Sequence, residues 1–312
     1  MEISVKIIAD SISSVNGKRL TTFEIQYPRV IHSELMTHRM LSKNCASSRA
    51  IPVQKVIDMV RENPATPIYW GKNQPGMQAK EELTGVALYE VEEMWEEAAL
   101  EAVRYAEMMS EEGAHKQIVN RILEPFQWMK TVITGTEWEN FFYLRNHEAA
   151  QPEIAHLAKL MEEEYRDNVP TTLNPGDWHL PYYHEGYWKF EGWNTDNKPC
   201  SYWGESLEDA IAISVSCCAQ TSYRTTDDSL EKAQKVLNRL NLDGKSDDPA
   251  HASPAEHQGT PIDVEAAENL ARECDGWMDG VTSYHKELGF MSGNLAGFIQ
   301  YRQLIKGHTK WH

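Results

Sequence analysis

Apolar and polar side chains alternate along two stretches near the start of the chain, residues 3–9 and 20–27. Such alternation is typical of β-strands that are buried on one face. The dipeptide Asn16-Gly17 lies between them and favours a tight hairpin turn. Pro28 is suited to end the second strand and to begin a helix that runs to about Met36. The pattern therefore predicts a hairpin that leads directly into a short helix.

Helical spacing of apolar residues dominates the rest of the chain, with one further strand predicted over 126–134. Residues 168–204 are rich in Pro, Gly, Trp and Tyr and show little periodicity. This composition predicts an ordered insertion whose aromatic rings pack in the core or in an interface. Helices are predicted over residues 53–62, 79–112, 115–123, 136–145, 152–166, 206–220, 227–240, 263–274 and 294–305.

Composition excludes several classes of protein. The 312 residues are enough for one large domain or two small ones, and the formal net charge of −17 argues against broad binding to nucleic acid. No stretch approaches the roughly 18 apolar residues of a membrane span, and the N-terminus lacks the build of a secretory signal. The five cysteines show no disulfide framework, so we expect a reducing cytoplasm.

A first cluster of cationic, hydroxyl and amide side chains follows the first predicted helix. Arginine forks and serine hydroxyls at a helix end form a cradle for an anion such as a phosphate. The alternative is a solvated basic loop in which the serines cap turns. The members of the cluster are His38, Arg39, Ser42, Asn44, Ser47, Ser48 and Arg49.

A second cluster lies in the helix predicted over 136–145. Arg145 ends this helix, where a long side chain can reach into a cleft, and Asn140 lies about one turn earlier. The helix dipole alone also favours an arginine at a C-terminus, which is the simpler interpretation.

The third cluster, residues 248–257, contains two histidines and acidic residues. Ser253 and Glu256 have the spacing of a capping box, with Ser253 as N-cap of a helix. His251 and His257 are six residues apart rather than four, which disfavours a helical zinc motif, and we predict no metal.

Together the clusters resemble the motifs of the flavin-dependent thymidylate synthases. The family signature Arg-His-Arg-x-x-Ser-x-Asn-x-x-Ser-x-Arg is matched by residues 37–49 except at the first position, where this chain has Thr37. Residues 140–145 match the family's Asn-x-x-x-Leu-Arg segment. Residues 251–257 match its His-x-Thr-Pro-x-x-His segment, with Ser253 in place of Thr.

The resemblance implies an α+β fold like that of the thymidylate synthase-complementing proteins, with an antiparallel sheet and flanking helices. It implies a homotetramer with active sites at subunit interfaces. It also implies FAD as cofactor, methylenetetrahydrofolate and NADPH as co-substrates, and reductive methylation of dUMP to dTMP without a protein nucleophile.

The resemblance also implies a role for each matched residue. Arg145 is the catalytic residue that polarises the pyrimidine. The nucleotide contacts are Glu34, Ser47, Ser48, Arg49, Arg121 and Arg145. The FAD contacts are His38, Arg39, Asn44, Asn140, Ser253 and Glu256, and His251 lies on the folate or nicotinamide side.

Four positions depart from the family pattern: Thr37 replaces an arginine, Glu34 a glutamine, Cys45 a glutamate and Ala149 a histidine. A carboxylate only accepts hydrogen bonds, so Glu34 could favour an amino-bearing ring such as cytosine. The alternatives are an enzyme that acts on another pyrimidine nucleotide such as dCMP, or one that gives a hydroxymethyl product. Two further alternatives are a flavin- or nucleotide-binding protein without turnover and a purely structural oligomer.

The order of the motifs also differs, because the histidine motif here follows the signature instead of preceding it. A circular permutation accounts for this order and is tolerable where chain termini lie close together at the surface. We predict a single domain over 1–312. Its family-like segments are about 1–50, 115–160 and 206–260, and its insertions are about 53–112, 168–204 and 263–312.

Overall fold

The computed structural model describes residues 2–193, 195, 198–221, 226–242, 249–273 and 276–309. Asp248, the first residue of the third cluster, lies outside the described residues. So do residues 222–225 and the remainder of 243–248 within the predicted 206–260 segment.

The main sheet explains where the candidate site lies. Its strands are β1 (Ser4–Ser13), β2 (Arg19–Pro28), β3 (Ser42–Cys45), β4 (Trp128–Gly135) and β5 (Thr171–Leu173). They are ordered β3-β4-β2-β1-β5, with β5 parallel to β1 and all other neighbours antiparallel. The predicted hairpin and the strand predicted over 126–134 are confirmed. The predicted cationic turn is shorter than expected, because Ser42–Cys45 pairs with β4 as a strand.

The helices agree with the sequence pattern more closely in the middle of the chain than at its end. They are α1 (His32–Met36), α2 (Val53–Glu62), α3 (Val86–Glu111), α4 (Lys116–Val119), α5 (Glu139–Arg145), α6 (Pro152–Asp167), α7 (Leu207–Ala219), α8 (Leu230–Arg239) and α9 (Val264–Glu273). Short 3-10 helices lie at Arg29–Ile31, Glu124–Phe126, Ser253–Glu256 and Tyr301–Leu304. Among the described residues, no helix has both the length and the apolarity of a membrane span.

The helix predicted over 79–112 begins later than expected. Gly85 has a φ of +62°, a left-handed conformation that ends the preceding loop, so α3 begins at Val86. The helix predicted over 115–123 is also shorter, since only α4 is helical there.

The largest apolar core packs α5 and α6 against one face of the main sheet. Phe23 and Tyr27 of β2, Trp138 and Phe141 beside or within α5, and Leu157 of α6 are all buried in it. Leu35 of α1 and Leu41 belong to the same cluster. This core therefore fixes α1 and the C-terminal end of α5 next to each other.

Residues 53–112, which we call the arm, contribute most of a second core. Val56 and Val60 of α2 pack against Ala99 and Val103 of α3 and against Phe126. Between α2 and α3 the chain forms a small hairpin, residues 70–83, in which the N–H of Lys72 donates to the carbonyl of Glu81 at 2.8 Å. The arm is therefore ordered structure packed against the sheet domain.

Short strands fill the aromatic segment and the C-terminal region. They are β6 (Trp178–His179), β7 (Tyr187–Trp188), β8 (Gly192–Trp193), β9 (Pro199–Cys200), β10 (Gly259–Pro261), β11 (Ser283–His285), β12 (Gly289–Ser292), β13 (Leu295–Ala296) and β14 (Phe298–Gln300). Trp178, Tyr183 and Trp188 are buried, as the packing prediction expects, whereas Trp193 and Tyr202 are exposed.

The helix predicted over 294–305 is wrong. Gly297 separates β13 from β14 with a φ of +71°, and its N–H donates to the carbonyl of Phe290 at 2.9 Å. A left-handed residue in the middle of the segment is incompatible with a continuous helix. The buried side chains Leu295 and Phe298 therefore reflect strand and turn contacts rather than a helical face.

Candidate functional site

Strand β3 lies at the centre of the candidate site. Its side chains point alternately to the two faces of the strand, so they contact different neighbours. On one side, Ser42 Oγ donates to Asn294 Oδ1 at 3.1 Å, and Asn44 Nδ2 donates to the carbonyl of Cys218 at 2.6 Å. These bonds tie the signature to the C-terminal part of the chain.

Lys43 points from the other side of β3 and fixes the turn before it. Its Nζ donates to the carbonyls of Leu41, at 2.9 Å, and His38. Burial lowers the pKa of the Lys43 ammonium. The Lys43 ammonium thus stabilises the 38–41 turn through these two hydrogen bonds.

The capping box predicted at Ser253 is wrong. Residues Ser253–Glu256 form a 3-10 helix that follows Ala252, and no side chain caps it. Ser253 Oγ instead lies 3.4 Å from Asn44 Oδ1, and Glu256 forms an ion pair with Arg302. Both side chains serve tertiary contacts, so the local pattern was misleading.

Two residues of the C-terminal region contact the signature and were missed by sequence reasoning. Asn294 Nδ2 donates to the carbonyl of Met40 at 3.1 Å, and Gln300 Nε2 donates to Ser42 Oγ at 3.3 Å. Arg302, which the sequence also did not single out, pairs with Glu256 of the third cluster. Asn294 lies 252 positions from Ser42 in the sequence, so no local pattern signals the contact.

Arg145, the last residue of α5, joins α5 to α1 and the 38–41 turn. Its Nε donates to His38 Nε2 at 2.8 Å, its Nη1 lies 3.4 Å from Glu34 Oε2, and its Nη2 lies 3.4 Å from Thr37 Oγ1. Burial, together with the charges of Arg145 and Lys43, lowers the pKa of His38 to about 4. His38 is therefore a neutral acceptor at pH 7, with its proton on Nδ1.

A hollow that we call the inner pocket lies between the 38–41 turn and α5. Its volume is about 250 Å³, and His38 meets Phe141 edge-to-face there at a centroid distance of 4.9 Å. Arg39 and Asn140 are exposed at its rim, and among the described residues no carboxylate pairs with Arg39. The predicted contacts His38, Arg39, Asn140 and Arg145 are thus brought together.

A larger hollow of about 700 Å³, which we call the outer cleft, opens on the other side of Arg145. The arm supplies one wall, the segment from Pro28 to Glu34 supplies a second, and the rest comes from the end of α5, the α5–α6 connection and the start of α6. The arm residues in this wall include Pro67, Tyr69, Met77, Gln78 and Trp95. No pattern in the sequence indicates this cleft.

A cationic edge follows the C-terminal end of β3. Glu124 forms ion pairs with Arg121 at 2.7 Å and with Arg29 at 2.8 Å, and it accepts a hydrogen bond from Ser48 Oγ at 3.3 Å. Arg49 is exposed, and no carboxylate of the described residues pairs with it. Two guanidinium groups share one carboxylate, so with Arg49 the edge keeps net positive charge.

Asn120 stabilises the turn that contains Ser48 and Ile51, next to the cationic edge. Its buried Nδ2 donates to the carbonyls of Ser48 at 2.7 Å and Ile51 at 3.1 Å. Ser47 is exposed in the same turn. The predicted nucleotide contacts Ser47, Ser48, Arg49 and Arg121 therefore form one group, separate from the contacts around Arg145.

His251 is exposed, and its backbone N–H donates to the carbonyl of Leu240 at 2.9 Å. Within the ranges that the structure describes, no group of three or more His, Cys, Asp or Glu side chains is arranged to hold a metal ion.

A buried chain of polar side chains crosses the main sheet. His179 bonds Ser11 Oγ through Nδ1 at 2.9 Å and Thr22 Oγ1 through Nε2 at 2.8 Å. Thr134 Oγ1 continues the chain to Thr22 at 2.7 Å and to His257 Nδ1 at 2.7 Å. Burial lowers the pKa of each histidine to about 3, and for His179 the nearby His257 contributes as well. Both histidines are therefore neutral at pH 7.

Comparison with known proteins identifies the signature region. A family model described as thymidylate synthase complementing protein matches residues 6–171. The match includes the signature and the 140–145 segment, and it leaves residues 251–257 outside.

Solved structures of a UMP/dUMP methylase, PolB from Streptomyces cacaoi, are also similar. The structure bound with 5-Br UMP is 17% identical, covers 53% of this chain and 88% of its own, and has a TM-score of 0.44. The structure bound with 5-Br dUMP is 17% identical, covers 53% and 90%, and has a TM-score of 0.43. No curated protein matches the sequence.

Proposed function

The chain belongs to the thymidylate synthase complementing protein family, and on that premise we propose that it transfers a one-carbon unit to C5 of a pyrimidine nucleotide with a flavin as cofactor. The observation that carries the proposal is the junction at Arg145. Two family motifs that lie 107 positions apart meet there, where Arg145 Nε donates to His38 Nε2 at 2.8 Å.

The residues around the inner pocket fit a flavin. Arg39 offers an uncommitted guanidinium to phosphate oxygens, and the ring of Phe141 and the neutral imidazole of His38 suit a flat heteroaromatic system. Asn140 at the rim, with Asn44, Ser253 and Glu256 beside β3, would complete the contacts. The hydride chemistry would come from the flavin, because protein side chains cannot supply it.

The size of the inner pocket supports a site shared between subunits. Its volume of about 250 Å³ lies below the roughly 300–1,000 Å³ usual for a small-molecule site, and Arg39 and Asn140 are exposed. A second subunit would cover the remainder of a bound FAD. We therefore include the homotetramer in the proposal.

The nucleotide would be bound through its charged phosphate at one end, and its pyrimidine ring would be polarised at the other. Ser47, Ser48, Arg49 and Arg121 form the cationic edge that suits the phosphate. Arg145, already fixed by its neighbours, would stabilise negative charge that develops on the ring without further reorganisation.

Cys45, Cys217 and Cys218 are poor nucleophiles, which agrees with a reaction that uses no protein thiol. Burial raises the pKa of Cys45, raises that of Cys217 to about 12 and raises that of Cys218 well above its usual value. A thiol that stays protonated at pH 7 does not attack the ring.

With the substrates that the family implies, the reaction balances as follows. The methylene carbon of methylenetetrahydrofolate bonds to C5 of dUMP while its two C–N bonds to the folate break. The C5 proton and one proton from solvent account for the two protons that the folate nitrogens gain, and hydride that originates from NADPH completes the methyl group of dTMP. Tetrahydrofolate and NADP⁺ are released. His251 would face the folate or nicotinamide.

We further propose that the chain is one domain with a circularly permuted order. Residues 253–257 lie against β3 although they are more than two hundred positions away, with Ser253 Oγ 3.4 Å from Asn44 Oδ1 across 209 positions. The histidine motif thus reaches the signature from the C-terminal side of the chain.

Release of tritium from C5-labelled nucleotide tests the proposal. The purified protein should carry a flavin absorbance band and release tritium only when methylenetetrahydrofolate and NADPH are both present. A protein that binds no flavin, or that releases tritium from neither labelled dUMP nor labelled dCMP, would contradict it.

A further inference from the structure

One carboxylate oxygen in the cationic edge is surrounded by donors from three separate segments of the chain. Glu124 Oε1 lies 2.8 Å from Arg29 Nη2 and 2.7 Å from Arg121 Nη1. The same oxygen accepts a hydrogen bond from Ser48 Oγ at 3.3 Å. Two guanidinium groups and a hydroxyl form the kind of donor set that binds a phosphate oxygen. The carboxylate of Glu124 therefore uses the donors that a phosphate would use.

Two of these donors are also positioned by contacts that do not involve Glu124. The side chain of Arg29 is 17% exposed, and its Nη1 donates to Met129 Sδ at 3.0 Å. The carbonyl of Ser48 accepts a hydrogen bond from the buried Asn120 Nδ2 at 2.7 Å. We therefore expect these donors to stay in place when the carboxylate moves away.

The position of Glu124 allows it to leave. It begins the 3-10 helix Glu124–Phe126, and its side chain is 24% exposed. Rotation about its side-chain bonds carries the carboxylate towards solvent without a change in the backbone. Exchange of the carboxylate for another anion therefore needs no rearrangement of the fold.

The charges of the cationic edge favour that exchange. The edge contains the guanidinium groups of Arg29, Arg49 and Arg121, and the carboxylate of Glu124 balances only one of these three charges. A phosphate monoester carries about 1.5 to 2 negative charges at pH 7. It therefore neutralises the edge more completely than the carboxylate does.

We propose that Glu124 is an internal competitor for the nucleotide phosphate, and that Arg29 is a further phosphate contact. The carboxylate and the phosphate bind the same donors in turn, so the nucleotide displaces Glu124 from Arg29 and Arg121. The proposal rests on the proposed function for the identity of the ligand as a nucleotide. Neither Glu124 nor Arg29 belongs to the contacts that the family motifs imply.

The competition lowers the affinity for the nucleotide by the free energy of the two ion pairs that have to break. Both pairs are partly exposed to solvent, with side-chain exposures of 17% for Arg29 and 50% for Arg121. Pairs of this kind are weak, so together they reduce the affinity by about 2- to 30-fold.

Calorimetric titration of the flavin-loaded protein and of its Glu124→Gln variant with dUMP and with dCMP tests the proposal. The amide has no charge, so Glu124→Gln should bind each nucleotide that the unmodified protein binds about 2- to 30-fold more tightly. The factor should be the same for both nucleotides, because they carry the same phosphate. Equal or weaker binding by Glu124→Gln, or no binding of either nucleotide by either protein, would overturn the proposal.

Glu101→Gln is the matched control. Glu101 pairs with Arg104 at 2.7 Å across the same spacing of three residues, but on the exposed face of α3. Its replacement should leave the affinity for both nucleotides unchanged.

Arg29→Gln tests whether Arg29 is shared between the carboxylate and the phosphate. This change removes one of the two pairs that the nucleotide has to break. Glu124→Gln should therefore tighten binding by a smaller factor in the Arg29→Gln background than in the unmodified protein. An undiminished factor would contradict the assignment of Arg29.

Tritium release separates failure of this proposal from failure of the proposed function. Release from a C5-labelled nucleotide that Glu124→Gln binds no more tightly overturns the internal competitor and leaves one-carbon transfer intact. Tighter binding by Glu124→Gln without release from either labelled nucleotide overturns the reaction and leaves the exchange at the phosphate site intact.

Discussion

The inner pocket and the outer cleft share the guanidinium of Arg145, but the rest of their walls differ in charge and in origin. The inner pocket is lined by Arg39 and a neutral His38, and it is built from the signature and α5. The outer cleft is lined by carboxylates and by the arm. The difference shows that Arg145 separates two hollows of opposite electrostatic character, one without a lining carboxylate paired with Arg39 and one with three glutamates in its lining.

Arg145→Ala should have the largest effect, because it removes the wall that both hollows share. We expect kcat/KM to fall by about 100- to 1,000-fold, as for loss of a charge-stabilising group, while the flavin remains bound. Steady-state kinetics and the flavin absorbance of the purified variant measure the two effects. Arg166→Ala, which removes an exposed arginine paired with Glu139, is the matched control. Full activity in Arg145→Ala would rule out the assigned role.

Arg49→Ala tests whether the phosphate lies outside both hollows. Loss of a charged hydrogen bond should raise the nucleotide KM by about tenfold to a hundredfold with a smaller change in kcat. Arg104→Ala on the exposed face of α3 should leave KM unaltered. If Arg49→Ala also leaves KM unaltered, the cationic edge does not hold the phosphate.

Acidification should destabilise the sheet that supports both hollows. The folded-state pKa values of His179 and His257 lie near 3, below the usual 6.5, so the unfolded chain binds more protons between these values. Their contribution is complete above about pH 6.5 and declines as the pH falls, by about 1.4 kcal/mol per pH unit for each histidine. Urea unfolding at pH 7.5, 6 and 5 measures the slope.

His179→Gln should reduce that slope, and replacement of the exposed His285 should not. A free energy of unfolding that does not change between pH 7.5 and 5 would show that the buried histidines are not neutral in the folded protein.

Ser253→Ala should have the smallest effect on stability, because this side chain caps no helix. Its contact with Asn44 is 3.4 Å long and exposed, and the predicted N-cap bond does not exist. We expect a change of less than about 0.5 kcal/mol in the free energy of unfolding. A decrease of about 1 kcal/mol or more in the free energy of unfolding would indicate that Ser253 caps a helix, contrary to the structure.

The contrast between the two hollows also shows what sequence can reveal. The inner pocket follows from local patterns: a short helix before the 38–41 turn and an arginine at a helix end, each with its own periodicity or terminus. The outer cleft depends on contacts such as Glu153 with Ile68 and on the close approach of Gly71 to Ala79, and no local pattern encodes these.

The C-terminal region was misjudged for a related reason. Its apolar residues happen to have helical spacing, but Gly293 and Gly297 have positive φ and direct the chain into short strands. Asn294 and Gln300 then contact Ser42 from the far end of the sequence. Such long-range partners cannot be read from residue spacing.

Mass spectrometry of the nucleotide after incubation with flavin, methylenetetrahydrofolate and NADPH tests the central claim most directly. We predict a pyrimidine nucleotide that has gained one carbon at C5, as a methyl or a hydroxymethyl group, and no such product from Arg145→Ala. Recovery of unchanged dUMP and unchanged dCMP, from protein that is folded and loaded with flavin, would contradict one-carbon transfer as the function of this chain.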